Sequence, residues 1–209
     1  MGMVMTSDQK REVHESKIAL NEIKVSYFLY PFKDNGSGKQ IPDTTKNPSL
    51  ITETARIVRE SGSVPTNTTT SVGLVTNQKF FAELHDDSQA FESAVLIAYG
   101  EGWKCAPIDN LKQDGEIYGK RSSLTLQSLS SNKSITSMMI GTVKGVITGT
   151  NITVTLQSGS SVTSLTPVIT HSGKMIDKTT AQDFTTPKTY TITAENLTTQ
   201  TYTVMVIVL

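Results

Sequence analysis

From Ser131 to Leu209, serine and threonine supply 28 of 79 residues, and the run KTYTITAENLTTQTYTVMVIVL places threonine at almost every other position. Alternation of this length has one ordinary meaning. Successive side chains of a β-strand point to opposite faces, so one face of the strand is apolar and the other hydroxylated. β-Branching suits threonine to the pleat, and its hydroxyl suits it to water. The pattern predicts a hairpin whose inner face carries Tyr190, Ile192 and Ala194 on one strand and Tyr202, Val204, Val206 and Val208 on the other. Thr189, Thr191, Thr193, Thr201 and Thr203 then face solvent. Near the end the polar half lapses, and Met205, Ile207 and Leu209 stand where threonines stood.

Upstream, the pieces SITSMMIG, GVITG, NITVTLQ and SVTSLTPVITH are separated at short intervals by Gly, Asn, Ser and Pro. Short strands with a turn about every ten residues predict an all-β sandwich over residues 131–209. This region holds eight charged side chains, whereas the first 130 residues hold 30, so two regions of different make-up are expected, 1–130 and 131–209. The echo of SLTLQSLSS (123–131) in TVTLQSGSS (153–161) is read as coincidence between serine- and threonine-rich strands. Formal charge is zero, which removes the electrostatic argument for nucleic acid or an anionic membrane as partner. No run approaches the roughly 18 apolar residues of a membrane span, and the first residues lack a basic segment followed by an apolar one, so neither membrane insertion nor a secretory signal is expected.

Residues 1–130 read as an α+β domain. Residues 7–17 suit a short polar helix or arm. Strands are expected around 22–30, 70–76 and 102–108. Leu50, Thr54, Ile57 and Val58 recur at helical spacing behind Ser49, and Phe91, Val95 and Ala98 do so behind Asp87 or Ser88, which predicts helices around 49–60 and 87–99. Between the first strand and the first helix, PFKDNGSGKQIPDTTKNPS is a long turn-rich loop or arm.

No catalytic constellation survives inspection. GSGK at 36–39 lacks the Gly five places earlier and the Ser or Thr after lysine that a phosphate loop needs, since Lys33 and Gln40 stand there. DNGSGKQIPD lacks most EF-hand ligand positions. His14, His85 and His171 are isolated in sequence, although folding can bring His85 near Asp86, Asp87 or Cys105. Cys105, the single cysteine, allows no internal disulfide and reads as a small buried apolar side chain. Neither a metal nor a cofactor is expected. Trp103, set in GEGWKC, reads as a core or interface anchor, with a binding-surface role as the alternative. Two readings also fit Met205, Ile207 and Leu209: cover by another part of the chain, or a contact with a neighbouring subunit.

VTSLTP, AQDFTTPKTYTITAE and TQTYTVMV carry a family resemblance. Residues 133–208 resemble the small bacterial Ig-like modules of Bacteroidota surface proteins and bacteriophage virion proteins. The resemblance implies an Ig-like sandwich. It departs at Asn196-Leu197, where such modules place Asp-Gly; leucine disfavours the positive φ of a tight turn, so a longer or differently shaped turn is expected. The leading expectation of function is a non-enzymatic structural virion protein of a tailed bacteriophage, capsid- or tail-associated. Its N-terminal domain would anchor to other virion proteins and copies of itself, and its sandwich would adhere weakly and multivalently to a host surface glycan or protein. The alternatives are a bacterial cell-surface or adhesion protein, and an enzyme with an accessory Ig-like module.

Overall fold

The computed structural model describes residues 23–59, 68–70, 73–75, 80–90, 92–113 and 115–209, together with Gln9. Apart from Gln9, the arm expected at 7–17 lies outside the described residues, as does His14. Two compact units are present: residues 1–29 with 49–128, and residues 30–48 with 129–209. The chain thus leaves the first unit after Leu29, contributes a segment to the second, and returns at Ser49. Nothing in the composition of 30–48 announces that exchange.

Every named element among the described residues is a strand. In chain order the first unit and its excursion carry β1 (Ile23–Leu29), β2 (Phe32–Asp34), β3 (Gln40–Pro42), β4 (Ser49–Arg59), β5 (Thr68–Thr70), β6 (Gly73–Val75), β7 (Phe80–Leu84), β8 (Val95–Ala98), β9 (Glu101–Cys105), β10 (Asp109–Gln113) and β11 (Glu116–Gln127). β11, β7, β4, β1, β8 and β9 are antiparallel neighbours in that order, and β9 pairs back onto β11, which closes a six-stranded barrel. β10 follows β9 along the same side of β11 after the break at 106–108. Closure leaves the barrel strands without a free edge.

The expected α+β N-terminal domain is therefore corrected to an all-β one. Residues 49–59 form β4, not a helix, and the reason lies in Glu53. Ile51, Ala55 and Ile57 alternate toward the barrel interior with Val25, Tyr27, Ala82, Leu84 and Leu96. Glu53 occupies the same phase and breaks the period-two signal. It is tolerated because its carboxylate accepts hydrogen bonds from the hydroxyls of Tyr27 (3.0 Å) and Ser88. The helix expected over 87–99 is replaced by a loop and the four-residue strand β8, whose VLIA run is too short and too uniformly apolar for periodicity to decide. The strands expected near 22–30 and 102–108 correspond to β1 and β9. In place of one strand at 70–76, Thr68–Thr70 pairs with Gly73–Val75.

The second unit continues with β12 (Ile135–Ile140), β13 (Val143–Lys144), β14 (Val146–Thr148), β15 (Asn151–Leu156), β16 (Val168–His171), β17 (Met175–Ile176), β18 (Lys188–Thr193) and β19 (Thr199–Val208). A three-stranded sheet, β13-β12-β16, and a five-stranded sheet, β14-β15-β19-β18-β17, share a core of Ile135, Met138, Ile152, Ile176, Phe184, Tyr190, Ile192, Tyr202 and Val204. β15 and β19 are parallel; the remaining pairs of these two sheets are antiparallel. β17 lies at the edge of its sheet, where Asn47 from the excursion acts as a one-residue strand. Its amide donates to the Ile176 carbonyl (2.8 Å) and accepts from the Ile176 N–H (3.0 Å).

β18 and β19 form the hairpin expected from the alternation, with register Tyr190↔Tyr202 and Thr191↔Thr201. Tyr190, Ile192, Ala194, Tyr202 and Val204 are buried, but Val208 is 40% exposed because β19 has run past the core. Thr193, expected in solvent, is buried. The turn closes on three residues, Glu195 to Leu197: the Leu197 N–H donates to the Ala194 carbonyl, and the Ala194 N–H to the Thr198 carbonyl. Leu197 takes the left-handed position with φ 66°, where such turns favour glycine. Leu197→Gly is expected to stabilise the sandwich by about 1 kcal/mol through relief of that conformation. Equilibrium urea unfolding of the variant checks it.

Candidate interaction surfaces

The apolar end of β19 is built by register. Met205 pairs with Thr153 of β15, which pairs in turn with Val146 of β14, so the three side chains form a row on the outer sheet face. Ile207 follows beside Thr155. Met205 is 43% exposed, Ile207 38%, Val146 68% and Leu209 78%. β18 begins with Lys188 opposite Val204, so from Met205 onward β15 is the named strand that pairs with β19. Among the described residues, row and unpaired edge coincide, the combination that invites strand association. Val146 was invisible to sequence reasoning because only the register of β14 places it there. The Met205→Thr, Ile207→Thr double variant restores the threonine pattern. It is expected to alter sandwich stability by less than about 1 kcal/mol, as for other solvent-facing substitutions, with thermal unfolding as the readout.

Trp103 belongs to the other unit. It is 9% exposed, lies in the barrel core, and meets Phe80 with ring centroids 5.0 Å apart at 57°. Its indole N–H is buried and has no acceptor among the described residues. The register pairs Trp103 with Leu96 on one side and with Leu126 on the other. Leu126 shares the face of Trp103 yet is 60% exposed, which marks this stretch of β11 as the rim of one barrel end. Ile23 opens β1 at this end, and Ile57 and Phe80 line it from β4 and β7 as half-buried apolar side chains.

Tyr99 extends the rim. β8 and β9 are joined by the two-residue turn Tyr99-Gly100, with φ values of 53° and 78°. Both positive, they define the hairpin turn that favours Asn-Gly. A bulky residue in the first position is a conformational outlier, and Tyr99 is also 80% exposed. It was missed in the sequence because residues 87–99 fitted a helical period; a turn reading of Tyr-Gly between two apolar runs would have found it.

The groups considered for chemistry are held by structural partners. His85 Nε2 lies 3.3 Å from the Thr54 hydroxyl, and Glu53 binds Tyr27 and Ser88. Burial pushes the Cys105 thiol up to about 11, so it is neutral near pH 7. Desolvation lowers the pKa of His171, which favours its neutral ring. Among the described residues no group of three or more His, Cys, Asp or Glu could hold a metal ion, and no helix is long and apolar enough to cross a membrane.

Residues 135–206 match the family model described as SGBP, N-terminal, the N-terminal module of Bacteroidota surface glycan-binding proteins. The sandwich thus resembles modules of Bacteroidota surface proteins. Among solved structures, a candidate glycoside hydrolase from Bacteroides thetaiotaomicron is 30% identical over 40% of this chain and 27% of its own length, with a TM-score of 0.36. The chain spans 27% of that relative, and at this TM-score the likeness carries no structural argument. No curated protein matches. The virion reading gains no support from these comparisons.

Proposed function

We propose that this chain is a non-catalytic glycan-binding protein of the Bacteroidota cell surface. The family match over residues 135–206 carries the reading. The hydroxylated outer face of the five-stranded sheet agrees with it, because threonine-coated strands keep a projecting sandwich solvated without charge. A binding role in place of catalysis is supported by the occupied state of Glu53 and His85 and by the neutral thiol of Cys105. Each glycan contact of such a protein is weak, and many copies on one surface raise the avidity.

Affinity electrophoresis tests this reading. The purified chain is run through native gels containing laminarin, xyloglucan, arabinoxylan, galactomannan or amylopectin, and the same mixtures are assayed for reducing ends. Retardation in at least one gel without release of reducing ends is expected. Free migration in all five overturns glycan binding, and release of reducing ends overturns the non-catalytic assignment.

A further inference from the structure

We infer that the edge of β19 from Met205 to Leu209 is a self-association surface, and that its occupant is the same strand of a second copy of this chain, running antiparallel. Pairing of this kind holds whether or not the chain binds a glycan.

The ladder determines what the edge can receive. Thr203 and Leu209 donate their N–H groups to the Thr150 and Leu156 carbonyls on the β15 side. Odd-numbered residues of β19 therefore turn their backbone polar groups to β15, and even-numbered residues turn theirs the other way. On that other side Val204 meets Lys188, the first residue of β18. Beyond it, among the described residues, the N–H and C=O groups of Val206 and Val208 face no named strand. The second unit, residues 30–48 and 129–209, is described throughout, so the edge is unpaired within its own unit. Exposed edges are commonly protected by lysine, proline or a bulge. Met205 to Leu209 carries neither lysine nor proline, and its register with β15 is unbroken up to Val208.

A second copy supplies the matching strand in one register. Val206 and Val208 can exchange both backbone bonds only with residues that also point outward, which pairs Val206 with Val208 of the copy and Val208 with Val206. Ile207 then stands opposite Ile207 across a two-fold axis, and Met205 opposite Leu209, the self-complementary pattern of a symmetric dimer. Sliding the copy toward β18 would set its Val208 against Val204, where Lys188 already stands. Sliding it away loses the bonds of Val206. Cross-strand neighbours share a face, so the exposed Met205, Ile207 and Leu209 cover one another on the outer side. Val208, exposed past the core, packs beside half-buried Val206 of the copy. No charged side chain lies on the paired segment, so none has to be desolvated.

Sedimentation velocity of the full chain across a wide range of concentrations tests the pairing, beside Val208→Pro, Ile207→Lys and Ile207→Glu. The parent is expected to show a reversible monomer–dimer equilibrium. Proline removes an N–H that faces the edge and leaves the ladder to β15 whole, so Val208→Pro is expected to weaken dimerisation at least roughly tenfold. Each charge variant sets like charges opposite one another at the axis and is expected to do the same. An equimolar mixture of the Lys and Glu variants is expected to restore the dimer. Circular dichroism and thermal unfolding at low concentration verify the fold of each variant, and should Val208→Pro fail to fold, the mixing experiment decides. A parent that stays monomeric throughout, or a dimer that a folded Val208→Pro leaves intact, overturns the proposal. So does a mixture that stays monomeric, because Ile207 then does not face its own copy. If another segment of the chain fills the edge, Val208→Pro lowers the melting temperature while the parent shows no dimer, and the proposal falls.

Discussion

Gly173→Ala is expected to destabilise the sandwich by about 3 kcal/mol, at the upper end of what overpacking costs. Gly173 lies where the chain passes from β16 in the three-stranded sheet to β17 in the five-stranded sheet. It crosses β18 closely: the N–H of Lys174 donates to the Thr193 carbonyl at 2.8 Å. A Cβ on Gly173 would fall far inside van der Waals contact with Cγ2 of Ile192 and 2.8 Å from the Thr193 carbonyl oxygen. Neither neighbour can yield, since Ile192 is fully buried in the core and the Thr193 oxygen is backbone. Gly149→Ala is the control. Its φ is 60° and nothing lies within 4 Å of the position, so only the left-handed backbone conformation penalises alanine, by about 1 kcal/mol. Equilibrium unfolding of the two variants separates steric from conformational cost, and equal losses would contradict the close crossing at β18.

The legible parts of this fold are those in which one phase of a strand is purely apolar. The β18–β19 hairpin could be read residue by residue because Tyr190, Ile192, Ala194, Tyr202 and Val204 keep their phase against threonine. β4 could not, because Glu53 sits in the inward phase and its burial is made possible by Tyr27 and Ser88, which lie 26 and 35 residues away in sequence. Barrel closure was equally hidden. It depends on the pairing of Leu124 to Gln127 with Gly102 to Cys105, and no local pattern encodes a closing register. The exchange of residues 30–48 into the second unit rests in part on Asn47 meeting Ile176, a contact 129 residues apart. Of the candidate surface residues, Met205, Ile207 and Leu209 were visible as a lapse in alternation. Tyr99 and Val146 needed a turn geometry and a strand register that sequence alone does not supply.

Alkaline pH is expected to unfold both units, through groups that burial keeps neutral. Desolvation raises the Cys105 thiol from 9.0 to about 11. It also raises the Tyr190 phenol from 10.0 to about 12, helped by Asp177. Burial and the adjacent Glu53 carboxylate hold the Tyr27 phenol further above its ordinary range. In each case the folded protein binds its proton more tightly than the unfolded chain, so stability falls as pH rises through the window between the two values. The contribution is fully present below pH 9. Between 9 and 11 Cys105 alone withdraws up to about 1.4 kcal/mol per pH unit from the barrel, and above 10 the tyrosines act in the same direction. Trp103 fluorescence follows the barrel transition, and Cys105→Ala is expected to remove the decline between pH 9 and 10. Tyr190→Phe serves the same purpose in the sandwich. Its hydroxyl is buried without a hydrogen-bond partner among the described residues, so the variant is expected to be about 1 kcal/mol more stable at pH 7 and to lose less of that stability above pH 10. A barrel transition that stays level to pH 11 would show that Cys105 is solvated, and with it that β9 does not seal against β11.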